Sequence, residues 1–334
     1  MKKNKKTFLV IGSNSFSGSA FIYHLLKRKY NVIGVSRSKE LLPIFLRYKN
    51  LKNEQRLFKF FQIDLNKNCK KLINLIKKYK PSYIINLAAQ SMVAESWDHP
   101  EHWYQTNVFA QIQLCEEINK LNFIKKYVHV TTPEVYGSSK NKIKENFNFN
   151  PSTPYAVSRA CCDLHLRNMW KLYNFPVVFT RAANVYGPCQ QLYRIIPRAL
   201  LYARKNKQLM LHGGGKSIRS FIHIDDVAEA TISIALEAKI GKTYHISTNN
   251  FISIKELTKK ISFLTNKNFS DFVNVASERS GKDHAYLLDS SSLRKELNWR
   301  DKVSLDFGLK QTLEWVDSNL SKLSKSNQFY VHKK

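Results

Sequence analysis

The sequence predicts an α/β fold: a doubly wound parallel sheet with a smaller, interleaved C-terminal lobe. Two observations carry this. Apolar runs of strand length alternate with helical stretches through the first half of the chain. Beyond about residue 181 the alternation loosens, and no Gly/Ser/Pro linker marks a clean boundary. The runs are continuously apolar, as strands buried on both faces of a parallel sheet require. In order, they are Phe8–Ile11, Val32–Val35, Leu57–Ile63, Tyr83–Leu87, Tyr127–Val130 and Val177–Phe179. Helical stretches fall between them at about 17–28, 69–79, 103–121 and 155–172. The third strand ends at Asp64, and Pro81 stops the second helix. In the second half, Gly213–Gly215 is a turn, 227–236 is helical and Thr243–Ile246 is a short strand. Stretches 254–264 and 304–318 read as amphipathic surface helices.

These elements predict a sheet domain over 1–180 with a return segment near 216–240. The smaller lobe takes 181–215 and 241–320, and residues 321–334 form a polar tail that frays. A chain of 334 residues buries about 75% of its unfolded surface and needs no staple. Five cysteines without a C-x-x-C pair exclude a zinc site of that type and a disulfide framework. Cys161 and Cys162 read as packing. A reducing, cytoplasmic setting is expected. The basic start is followed by an apolar run too short for a signal core. No window holds 18 consecutive apolar residues, so no membrane span is expected.

The formal charge is +29, from 54 Lys and Arg against 25 Asp and Glu. Lys outnumbers Arg, and Asn, Ile, Phe and Tyr are abundant, the signature of AT-rich coding. The charges are scattered rather than gathered in one arm, so no nucleic-acid partner is expected. A basic surface still attracts an anionic small substrate.

The first strand runs into Gly12-Ser-Asn14-Ser15-Phe16-Ser17-Gly18, and a helix follows. This is the glycine-spaced turn of a Rossmann-like dinucleotide site, with Ser15 at the middle glycine. Gly12 allows the tight turn and Gly18 the close packing of helix on strand. The helix N-terminus offers amides and partial positive charge to phosphates, and the Ser15 hydroxyl could donate to one. Strand two ends at Ser36-Arg37, where an acidic residue would hold a ribose 2′-hydroxyl. Arginine suits a 2′-phosphate instead, so NADP is expected over NAD. Asp64 either accepts from the adenine amino group or caps the helix that opens at Leu65.

Tyr155 and Arg159 are i and i+4 on one helix and share a face. A guanidinium beside a phenol favours the phenolate, which suits a base for a sugar hydroxyl. His129, His223 and His245 sit on apolar runs and read as satisfied core residues. Asp225-Asp226 reads as a helix cap.

The chain resembles the extended short-chain dehydrogenase/reductases, and among them the nucleotide-sugar 4,6-dehydratases. The resemblance rests on Asn86-Leu87-Ala88-Ala89-Gln90-Ser91-Met-Val93, Thr132-Pro-Glu134-Val-Tyr-Gly137, Pro151-Ser-Thr-Pro-Tyr155 and Asn184-Val-Tyr-Gly-Pro188. Arg219 to Ala228 and Arg279 to Tyr286 continue it, so it spans about residues 7 to 317 in family order. It implies a cofactor bound by the glycine turn, by Leu87 to Gln90 and by Tyr155 and Arg159, tightly held and recycled. It implies catalysis by Thr132, Glu134, Tyr155 and Arg159. Tyr155 takes the O4 proton while hydride leaves C4. Glu134 takes the C5 proton, water leaves from C6, and hydride returns to C6. Thr132 bonds O4. Substrate residues are implied at Ser91, Glu134, Asn184, Arg194, Arg219, Arg279 and Tyr286, with arginine forks for the diphosphate. No metal is implied.

Two positions depart from the family. Pro133 stands where the dTDP-glucose enzymes have an aspartic acid, so Glu134 serves both proton steps. Arg159 replaces a lysine and is not interchangeable with it. Gln90-Ser91 resembles the GDP-mannose enzymes, and the Arg279–Tyr286 block the dTDP- and UDP-glucose enzymes. An NDP-hexose of glucose configuration is expected first. The family also implies a homodimer through a four-helix bundle built from the helices near 103–121 and 155–172. The competing readings are an epimerase or 4-keto reductase, and a non-catalytic nucleotide-sugar binder.

Overall fold

The computed structural model describes residues 6–139, 141–277 and 285–333. In chain order the strands are β1 (Thr7–Ile11), β2 (Asn31–Ser36), β3 (Phe58–Gln62), β4 (Tyr83–Asn86), β5 (Lys126–Thr131), β6 (Val177–Ala182), β7 (Asn184–Tyr186), β8 (Leu209–His212), β9 (Ile218–Arg219), β10 (Phe221–His223), β11 (Thr243–Ile246), β12 (Ile252–Ser253) and β13 (Val273–Ala276). The helices are α1 (Phe16–Lys27), α2 (Leu65–Tyr79), α3 (Pro100–Tyr104), α4 (Ala110–Asn119), α5 (Pro154–Tyr173), α6 (Ile195–Arg204), α7 (Ile224–Glu237), α8 (Ile254–Leu264), α9 (Phe269–Phe272), α10 (Ser291–Glu296), α11 (Leu305–Ser318) and α12 (Leu320–Lys325).

Seven strands form one sheet in the order β11-β6-β5-β4-β1-β2-β3, and every pairing is parallel. Alternate residues feed opposite faces, as strand geometry dictates. Phe8, Val10, Ile85 and Val128 pack beneath α1 and α7. Leu9, Ile11, Ile84 and Phe179 pack beneath α2, α4 and α5. A third core, with Tyr186, Leu200, Leu257 and Leu313, belongs to the smaller lobe.

The helix expected over 103–121 is interrupted by a π-helical turn at Gln105–Phe109, between α3 and α4. Helix α2 begins at Leu65 rather than near residue 69, because the Asp64 carboxylate accepts from the Asn66 amide at 2.9 Å. His223, not Asp225, caps α7; Asp225 instead pairs with His24 and Arg47, tying α7 to α1 and the segment after β2. Strand β11, which the sequence reading places in the smaller lobe, is the seventh strand of the main sheet. In the tail, Leu323 is fully buried, and the Gln328 and Lys333 carbonyls accept from Arg198 and Gln90.

Gly241 makes the turn from α7 into β11. Its φ is +82°, its amide donates to the Val177 carbonyl at 2.7 Å, and an added Cβ would stand 2.1 Å from the Trp170 ring. Gly241→Ala should therefore cost about 2–4 kcal/mol, from left-handed strain and overpacking together. Urea unfolding measures it; a loss within error of zero would contradict the packing described.

Candidate active site

All seven strands of the sheet point the same way, so the loops that leave their carboxyl ends share one edge. Gly12 turns the chain out of β1 with φ +90°, where a Cβ would stand 3.2 Å from the backbone of Leu87 and of Ala88. At Gly18 a Cβ would come within 2.3 Å of the Gly12 carbonyl oxygen. The two glycines thus let β1, α1 and the loop after β4 close on one another. Ser15 caps α1: its Oγ accepts from the Gly18 amide at 3.0 Å and donates to the Gly12 carbonyl at 2.7 Å. Its proton is therefore engaged by the loop and not aimed at a phosphate. Phe16 and Ser17 form the first turn of α1, whose N-terminus carries the partial positive charge. The Asn14 amide donates to Ser36 Oγ at 3.0 Å, and its side chain donates to the carbonyls of Ser38 and Lys39.

The loop after β4 is held by two residues that the sequence reading missed. Asn107, in the π-helical turn, accepts from the Gln90 amide at 2.8 Å and donates to the Gln90 carbonyl at 3.0 Å. Gln111 donates to the Ala88 carbonyl at 2.7 Å and accepts from Asn86. Ala89 and Ser91 flank Gln90, which is itself buried, while Ser91 is exposed. Both partners lie inside an apolar helical pattern, and two buried amides in such a pattern are the signal available from sequence.

The C-terminal segment crosses this edge. Arg198 donates to the Gln328 carbonyl at 3.0 Å, Tyr330 packs edge-on against Tyr193, and His332 stacks on Trp103 at 5.1 Å. The Lys333 carbonyl accepts from Arg37 at 3.1 Å and from Gln90 at 2.6 Å. One partner of Arg37 is thus a carbonyl of the chain, which gives the expected NADP preference no support. Asp64 serves as a helix cap, the second of its two expected roles.

Thr132, Glu134, Tyr155 and Arg159 meet beside β5. Thr132 leaves β5 and caps the short turn Pro133–Tyr136, accepting from the Glu134 amide at 3.3 Å. Tyr155 opens α5 one turn before Arg159 and is buried. Burial raises the Tyr155 phenol, and the Glu134 carboxylate raises it further. Arg159, a hydrogen bond with Thr132, and Arg194 oppose the rise. The expectation that Arg159 lowers this phenol holds for its own contribution, but burial outweighs it and the net direction is up. Thr132 hydrogen-bonds the Tyr155 hydroxyl, and the charges of Glu134 and Arg194 act on it.

Arg159 is fully enclosed. Its Nη2 donates to the Val130 carbonyl and stands 3.3 Å from His129 Nε2. Its Nε and Nη1 are buried and have no partner among the described residues. Orphaned guanidinium donors beside Tyr155 fit a ligand rich in acceptors, such as the ribose of a dinucleotide. One turn further along, Asp163 accepts from Arg181 at 2.8 Å and from Thr131 at 3.1 Å, with both charged groups fully buried. Burial raises the Asp163 carboxyl, but Arg181 and His129 more than offset it, so its pKa is lowered. His129 is pushed down by burial and remains neutral. Two guanidiniums against one carboxylate leave one positive charge in excess, directly behind Tyr155.

Of the residues expected to face a substrate, Arg194 is the residue before α6, and Asn184 is exposed at the start of β7. Arg219 is buried, with its guanidinium 4.9 Å from the centroid of the Tyr286 ring. Arg279 lies outside the described residues.

Three histidines in this network and its flank are buried neutral. Burial lowers His245 to about 3 and His223 to about 4, and lowers His129 as well. The unfolded chain binds these protons near pH 6.5 and the folded chain does not, so folding weakens as pH falls below 6.5. The slope is about 1.4 kcal/mol per pH unit per histidine. Urea midpoints taken between pH 7 and 4.5 should fall steeply; a flat profile would contradict the buried neutral state.

Comparison with known proteins follows this geometry. Residues 9–312 match the family model described as GDP-mannose 4,6 dehydratase. The chain is 31% identical to human dTDP-D-glucose 4,6-dehydratase over 94% of its own length and 91% of the human chain. It is 30% identical to a probable dTDP-glucose 4,6-dehydratase of Sinorhizobium fredii over 93% of each. Among solved structures, DesIV, a dTDP-glucose 4,6-dehydratase of Streptomyces venezuelae with NAD bound, superposes with a TM-score of 0.86. The match covers 95% of this chain and 98% of that one at 27% identity. A UDP-glucose 4-epimerase of Thermotoga maritima with UDP-glucose gives 0.85 at 25% identity, covering 94% and 99%. The chain belongs to the GDP-mannose 4,6-dehydratase family of the extended short-chain dehydrogenase/reductases.

Proposed function

We propose that the protein is a hydro-lyase that converts an NDP-hexose of glucose configuration to the 4-keto-6-deoxy sugar. The observation that carries this reading is Glu134, a carboxylate acting on the same buried hydroxyl as Thr132 and Arg194. A bound nicotinamide dinucleotide supplies the hydride acceptor and one positive charge. NAD is the form found in the solved relatives, so NAD is proposed in preference to NADP. Tyr155 takes the O4 proton of the substrate, helped by the excess positive charge behind it. Thr132 orients that hydroxyl. Glu134 removes the proton from C5, made acidic by the neighbouring ketone, and delivers it to the C6 oxygen, which departs as water. The hydride taken from C4 then returns to C6, and a proton returns to C5 in balance with the one Tyr155 took from O4. Pro133 has no proton to give, so both steps fall to Glu134. Arg194 and Arg219 hold the diphosphate end, with Asn184 and Tyr286 beside the sugar.

A homodimer is proposed through α4 and α5. Val157, Leu164 and Leu172 are exposed on α5, and Phe109 is 65% exposed on the π-helical turn next to α4. Light scattering should give twice the chain mass, and Leu164→Glu should shift it to one chain.

The reaction is tested by mass spectrometry on purified protein with GDP-mannose and with dTDP-, UDP- and CDP-glucose. One dTDP- or UDP-linked substrate should lose a water without added cofactor. No loss of water with any of them, with NAD and NADP supplied in turn, would overturn the dehydratase reading in favour of an epimerase or reductase. Glu134→Gln should slow dehydration by about 10²- to 10⁴-fold while NAD binding is unchanged. A variant that still dehydrates normally would remove Glu134 from both proton steps. Arg159→Lys should leave the rate equal or higher; complete loss would show that the pocket is built around the guanidinium.

A further inference from the structure

Three imidazoles gather where α3 meets the C-terminal segment. His99 precedes α3, His102 lies within α3, and His332 reaches them from the C-terminal segment. The His99 and His102 ring centroids are 5.1 Å apart, and His332 lies 5.5 and 5.0 Å from them. Glu101 shares the place: its Oε1 is 3.8 Å from His99 Nδ1 and 3.5 Å from His102 Nε2. One ligand atom from each of His99, Glu101 and His102 lies within 4.8 Å of the other two. Ligands about 2.0–2.1 Å from a tetrahedral ion stand roughly 3.3 Å apart, so small side-chain rotations close this set.

The second nitrogen of His102 gives the cluster a reach beyond itself. His102 Nδ1 is 2.8 Å from His332 Nε2. An ion on His102 Nε2 places the remaining proton on Nδ1, which then donates to His332. Ligating histidines make this outer hydrogen bond habitually, and it fixes both tautomer and ring. His332 must accept, and hence be neutral. The next residue, Lys333, is the one whose carbonyl meets Arg37 and Gln90. The cluster is thus one hydrogen bond away from the segment that crosses the cleft.

We propose that His99, Glu101 and His102 bind a divalent transition-metal ion of the zinc class, and that the bound ion fastens the C-terminal segment across the cleft through His332. Two imidazoles and one carboxylate suit zinc or cobalt and do not suit magnesium or calcium, which take oxygen ligands. His99 and Glu101 are exposed, which leaves the fourth position to water. The metal site stands apart from the reaction proposed above; only the meaning of the cleft as a cofactor site rests on that reading.

The test uses the untagged, metal-stripped full chain, titrated with Co²⁺ and then with Zn²⁺. The expected result is one Co²⁺ per chain with visible tetrahedral bands, displacement of Co²⁺ by Zn²⁺, and stronger hydrogen-exchange protection of residues 326–333. Mg²⁺ should do neither. His99→Ala, at an exposed position, should abolish the bands and the added protection. His332→Ala should keep the bands, weaken Co²⁺ by about tenfold and lose the added protection. Absence of Co²⁺ bands, or unchanged binding in His99→Ala, would overturn the site. Binding that leaves 326–333 no better protected would overturn the fastening. Neither result bears on water loss from the sugar, so the two readings fail separately.

Discussion

A buried ion pair, Asp163 with Arg181, fixes how α5 presents Tyr155 and Arg159. One oxygen of Asp163 gathers Arg181 from β6 and Thr131 from β5, while the residue itself belongs to α5. Three elements are clasped at one atom. Tyr155, Arg159 and Asp163 are spaced by four residues and lie on one stripe of α5, so pinning the third fixes the rotation and height of the first two. Burying such a pair is costly, and removing one partner leaves an uncompensated charge worth about 3–5 kcal/mol. The pair is therefore better understood as a device of position than of stability. It also leaves Arg159 without a carboxylate of its own, which keeps the positive field behind the tyrosine unspent.

The other half of the site depends on close approach rather than on charge. Gly12 and Gly18 bring the backbones of β1, α1 and the loop after β4 nearer than any side chain would allow. The π-helical turn then inserts Asn107 beneath Gln90, where a regular helix would carry it past. Such turns are uncommon and recur at functional sites. Because the strands are all parallel, Gly12, Ser36, Gln90 and Thr132 leave the sheet at one edge, and a shared site follows without any further constraint.

Much of this was legible in the residues. The apolar runs marked six of the seven strands; five of these are buried on both faces, while the edge strand β3 is only partly buried. The glycine spacing marked the turn after β1, because only glycine tolerates the contacts found there. The i, i+4 spacing placed Tyr155 and Arg159 together. What was not legible depends on partners distant in sequence. Asp163 looked like any helical aspartate until Arg181 met it. The Ser15 hydroxyl looked available until the Gly12 carbonyl took its proton. Thr243–Ile246 was too short to declare which sheet it would join. The tail looked solvated because its contacts are made mostly by carbonyls and rings, which carry no pattern of hydropathy.

The place of β11 and α7 has a kinetic consequence. One face of the sheet, with Phe8, Val10, Ile85 and Val128, is roofed by α7, whose Ile224, Val227 and Ala228 arrive some two hundred residues after β1. During synthesis the first six strands emerge before that roof exists. At about 5–20 residues per second the gap between β6 and the end of α7 lasts seconds, long compared with hydrophobic collapse. The nascent N-terminal portion, with α1 as its one cover, must therefore carry an apolar face that is only partly covered for that interval. Native closure waits for contacts of high sequence separation, which slow folding.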